Sequence, residues 1–116
     1  MLKDRRIAAN AIAEKLFAAE AAINAAVSAV AQLTATMPMA AQDARIAACI
    51  GQEALQGAMD TCAQLIQARS TIIATHAALA TARDNIGLGA VSFNDECPPR
   101  ETKGTLRFAT VEAVAA

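Results

Sequence analysis

Tryptophan and tyrosine are absent from this sequence, and phenylalanine occurs three times, at Phe17, Phe93 and Phe108. Large aromatics carry much of the buried area of ordinary cores, so any core here must be assembled from small side chains. Histidine occurs once, at His76. That excludes two-histidine metal motifs and bundle di-iron sites, which pair Glu-x-x-His segments. No glycine-rich phosphate loop and no Ser-His-Asp or Cys-His set is present. Basic excess is missing as well: ten Lys and Arg against eleven Asp and Glu leave a net charge of −1. A nucleic-acid partner demands a basic stripe to replace phosphate counterions, and none is expected. The one basic cluster, Lys3, Arg5 and Arg6, is interrupted by Asp4 and reads as a solvated helix start.

Cysteine usage is sparse and odd in number. Cys49, Cys62 and Cys97 have no CxxC spacing, so they read as reduced thiols, small core fillers or loop residues rather than ligands. Asn10, Glu14, Lys15 and Glu20 break up any apolar leader segment, so a cytoplasmic location is expected. Residues 21 to 42 hold no charged side chain, a length that suffices to span a bilayer. Their bulk is Ala, with Asn24, Ser28, Gln32 and Thr34 interspersed, whereas Leu, Ile, Phe and Val drive insertion. No membrane span is expected; helix-helix burial accounts for the missing charge.

What the sequence has is alanine, 32 residues in 116. Alanine is the best helix former and is depleted in sheets, which points to an all-α chain. Over residues 3 to about 36, Ala9, Ile12, Leu16, Ala19, Ile23, Ala26, Val30, Leu33 and Met37 step in strict 3-4 alternation, the spacing of a coiled-coil seam. Pro38 lacks the donor for an interior helix bond and biases Met37 out of helical geometry. A tight connection is therefore expected at residues 35 to 38, with a single helix kinked at Pro38 as the alternative.

A second helix is expected over residues 39 to about 86. One stripe runs through Leu55, Met59, Cys62, Ile66, Arg69, Ile73, His76 and Ala80, and a second through Leu65, Ile72, Leu79 and Ile86. Two adjacent stripes make a wide apolar face suited to more than one partner helix. Gly87 is placed to cap this helix in a left-handed conformation.

These patterns predict an antiparallel helical hairpin over residues 1–87 and a distinct tail over 88–116. The tail has two strand-like runs, Ala90 to Phe93 and Thr105 to Val111, around the loop NDECPPRETKG, and would form a short β-hairpin or add to a neighbour. Between residues 16 and 42 the only charged side chain is Glu20, where a solvated helix would alternate charges. Self-association into a four-helix bundle, as a homodimer or higher, covers such a surface. The oligomer seam is assigned to Ile12, Leu16, Ile23, Val30, Leu33, Leu55, Met59, Ile66 and Ile73. Arg69 and His76 are its polar, register-setting members, with Glu14 and Glu20 as candidate partners for Arg69. Phe93, Leu106 and Phe108 are the candidate contacts of the tail.

No cofactor and no catalytic residue is expected, and the leading reading is a non-enzymatic structural or adaptor protein. In general composition the chain resembles granule-associated phasins, which are Ala-rich and helical. That resemblance implies a coat on a lipid or granule surface. Interfacial helices carry Lys or Arg on one face and Trp or Phe on the other, which this chain lacks. A histidine phosphotransfer role for His76 is a further alternative. Such domains usually follow the histidine with Lys and Gly, whereas AALATARDNIG follows it here.

Overall fold

The structure is a computed structural model and describes residues 1–89. Two helices make up these residues: α1, Leu2–Asp43, and α2, Gln52–Asn85. They pack antiparallel, with Glu20 opposite His76 and Asn24 opposite Arg69. No strand occurs among the described residues. The expected tail hairpin, with Phe93, Leu106 and Phe108, lies outside them.

The connection differs from the sequence expectation. α1 continues through Met37 and Pro38 as far as Asp43, so α2 starts at Gln52 rather than near residue 39. The chain reverses over residues 44–51, which excludes one long helix kinked at Pro38. Pro38 is exposed, while Met37 and Ala41 on the inner side remain half-buried. One more turn of packing against α2 thus offsets the hydrogen bond that proline removes.

The true stop is set by Arg45, which takes φ +55. Its amide bonds to the carbonyl of Gln42, and that of Ile46 reaches back to Ala41. This pair of bonds is the Schellman closure, usually built on Gly. The same closure ends α2, where Gly87 has φ +78, its amide meets Asp84, and Leu88 bonds back to Arg83. Gly87 matches the sequence expectation, and Leu88 folds over the helix end to 3 % exposure. Gly51, at φ +85, precedes α2 and its carbonyl accepts the amide of Leu55.

The seam between the helices follows from the burial pattern. In α1 the inward positions are Ala9, Ala13, Leu16, Glu20, Ile23, Val27, Val30, Thr34, Met37 and Ala41, all buried or half-buried. In α2 they are Leu55, Ala58, Cys62, Leu65, Ile72, His76, Leu79 and Arg83, with the exposed Arg69 completing the spacing. Both sets keep the strict 3-4 alternation of paired helices. The densest part is Ala13 and Leu16, against which Phe17, Ile72, Leu79 and Ala80 pack. Small residues in the seam, Ala9 and Ala13 on α1 and Ala58 on α2, permit close helix approach where they fall.

Leu16 is 5 % exposed, whereas Ile12 is 46 % exposed and stands beside the seam. Leu16→Ala is therefore expected to cost about 2–4 kcal/mol, and Ile12→Ala under about 1 kcal/mol, in chemical denaturation. Gly57 lies inside α2 with open space around an added Cβ, while Gly51 has positive φ. Gly57→Ala should stabilise by about 0.5–1 kcal/mol and Gly51→Ala should destabilise by about 1 kcal/mol. Equal signs for the two substitutions would contradict the assigned turn.

Candidate surface and polar seam

Two polar contacts cross the hairpin at neighbouring levels. His76 Nδ1 lies 2.8 Å from Glu20 Oε1, with both side chains half-buried. One helical level further toward the turn, Arg69 Nε donates to Asn24 Oδ1 at 2.9 Å. The expected acidic partner for Arg69 is thus a neutral amide, and Glu20 turns to the histidine instead. Arg69 is exposed, so water solvates its charge and no buried carboxylate is required. Both contacts are reachable in one helix register alone, because a slip of one residue rotates each side chain about 100° away from the seam.

Chemistry at His76 is constrained by this arrangement. A carboxylate 2.8 Å from the ring is an unfavourable neighbour for an incoming anionic phosphoryl group. Among the described residues, no three His, Cys, Asp or Glu side chains converge as metal ligands. Cys49 lies exposed in the turn and Cys62 is half-buried in the seam of α2. A shallow depression lined by Gln52, Leu55, Gln56, Met59 and Asp60 marks the start of α2.

The residues assigned to the oligomer seam divide into two groups. Leu16, Ile23, Val30 and Leu55 are turned into the hairpin, buried or half-buried. Ile12 and Leu33 on α1, and Met59, Ile66 and Ile73 on α2, lie beside the hairpin seam and face outward. Leu65, Ile72 and Leu79, from the second stripe of α2, occupy the inner positions in their place. A 3-4 pattern fixes one position per turn and leaves the adjoining one ambiguous. Here Leu65 turns inward and its neighbour Ile66 outward, while of the two isoleucines Ile72 turns inward and Ile73 outward.

The outward surface is short of charge. Between Thr61 and Ala82 of α2, Arg69 and His76 are the only basic side chains and no Asp or Glu occurs. Several polar side chains on these helices are also turned back on their own backbone. Thr36, Thr61, Thr71, Thr75 and Thr81 each donate to the carbonyl four residues earlier. Such a threonine satisfies its hydroxyl on its own helix. α1 contains an 18-residue window of mean hydropathy 1.5, which is long and apolar enough to cross a membrane by length and composition.

The Glu20–His76 contact should behave as a coupled pair. In a double-mutant cycle of Glu20→Gln and His76→Gln, an interaction of about 0.5–2 kcal/mol is expected from unfolding titrations. Strict additivity would mean that the pair does not hold the helix register.

No protein-family model, curated protein or solved structure matches the chain.

Proposed function

We propose that this chain is a non-enzymatic structural or adaptor module of the cytoplasm, whose hairpins self-associate into a four-helix bundle within a larger assembly. The observation that carries this reading is the mismatch between core and surface. Among the described residues, the buried hydrophobics are Ala9, Ala13, Leu16, Ala58 and Leu88, and three of these five are alanines. Meanwhile Ile12, Leu33, Met59, Ile66 and Ile73 are each at least 42 % exposed. Two helices with so thin a seam bury too little apolar area to offset the entropy of ordering about 80 residues. A second hairpin would cover the outer residues and supply the missing burial, at about 25 cal/mol per Å². Twofold symmetry gives the simplest closed assembly.

A second reading has one observation in its favour. The apolar window of α1 is 6 % buried within the hairpin, so a lipid or granule surface would also cover it, and the coat-like composition fits that use. Against it stand the alanine bulk of the segment and the absence of Trp and Tyr anchors.

Sedimentation of the full chain at micromolar concentration, paired with vesicle flotation, separates these readings. A helical dimer or higher oligomer that stays with the soluble fraction is expected. A well-folded monomer, or flotation with vesicles of neutral lipid, would overturn the bundle.

A further inference from the structure

The outer face of α2 carries a second 3-4 pattern beside the hairpin seam. Met59, Ala63, Ile66, Ser70, Ile73 and Ala77 follow one another at steps of four and three, and all six are exposed. Within the set, large and small residues alternate: Met59, Ile66 and Ile73 are 54 %, 55 % and 42 % exposed, and each is followed by Ala or Ser. We infer that this stripe is the docking surface for α2 of a second copy of the chain, running antiparallel about a twofold axis at the level of residue 68.

The occupant follows from the sizes. In an antiparallel pair with that axis, Met59 meets Ala77, Ala63 meets Ile73, and Ile66 meets Ser70 of the other protomer, each contact being made twice. Every large side chain thereby fills the space over a small one, the arrangement that permits close helix approach. Shifting the register by a heptad in one direction sets Ile73 against Gln56, and in the other direction sets Met59 against Asp84. A parallel in-register pair sets Ile66 against itself. The symmetric antiparallel register alone keeps all three large residues on small partners.

Extent and charge agree with that occupant. Met59 to Ala80 spans about 32 Å at the helical rise, and with α1 alongside the face is about 20 Å wide. The resulting footprint of about 640 Å² per protomer is close to the roughly 800 Å² that each side of a stable interface buries. Asp60 and Arg69 are the only charged side chains over residues 59–80; Asp60 lies outside the stripe and Arg69 is held by Asn24. The opposite flank is less suited: between its large residues Ile12 and Leu33, α1 carries Ala19 and Ala26, and α2 adds Thr61 and Thr75.

This inference rests on the self-association proposed above and adds its face and register. The test is a size swap in the full chain, read by sedimentation equilibrium with helicity checked by circular dichroism. Ile66→Ala and Ser70→Ile, each alone, should weaken dimerisation at least about tenfold, because one leaves a void and the other sets large against large. The double substitution Ile66→Ala with Ser70→Ile restores one large and one small residue per contact and should return the affinity to near the wild-type value. Both sites are exposed, so the hairpin itself should keep its helicity. A wild-type monomer would sink both self-association and this surface. A wild-type dimer unmoved by the single changes, dissociated instead by Leu33→Glu, would sink the surface and leave self-association standing. A double variant no better than the singles would sink the register.

Discussion

Packing of two helices along one narrow seam, with alanine at Ala9 and Ala13 on α1 and Ala58 on α2, is the constraint on which the rest of this structure depends. Ala9, Ala13 and Ala58 are among the few buried residues, and beside Ala13 the larger Leu16 packs with Ile72 and Leu79. Dispersion falls off steeply with separation, so a bulkier residue at those positions would push the helices apart and thin the contacts of the larger neighbours. The same economy limits what the hairpin can achieve alone. Alanine contributes little area, and the seam is one residue deep. The uncovered isoleucines and methionine on α2 are the counterpart of that thin seam.

The polar contacts act against this background as alignment marks. Glu20 with His76 and Asn24 with Arg69 occupy the middle of the hairpin, where repeated Ala and Leu would tolerate a slip of one heptad. Polar groups in a seam give up some stability for a unique register. The outer surface of α2 has no such mark. Its specificity would have to come from shape, through the alternation of large and small side chains.

The helical class, the antiparallel pairing and the end of α2 were all legible in the sequence, because alanine content, 3-4 spacing and Gly87 each act locally. Two features were not. The turn was expected at Pro38, since proline is a strong breaker, yet an exposed proline near a helix end can be outweighed by packing of Met37 and Ala41 on the inner side. The actual stop uses Arg45 in a left-handed conformation, and arginine gives no hint of it. The division of α2 into inner and outer stripes was also hidden. Met59, Ile66 and Ile73 are as apolar as Leu65, Ile72 and Leu79, and periodicity alone ranks them equally.

Read alone, the sequence is enough to show long helices with an apolar face and a charge-free stretch over residues 21 to 42. Propensity and spacing are properties of neighbouring residues, and they need no partner to be read. Which of two equivalent stripes turns inward, and where the chain reverses, is visible only in the packed hairpin. Both depend on the register of α1 against α2, a contact between residues about fifty positions apart, such as Glu20 and His76. No local pattern encodes that distance.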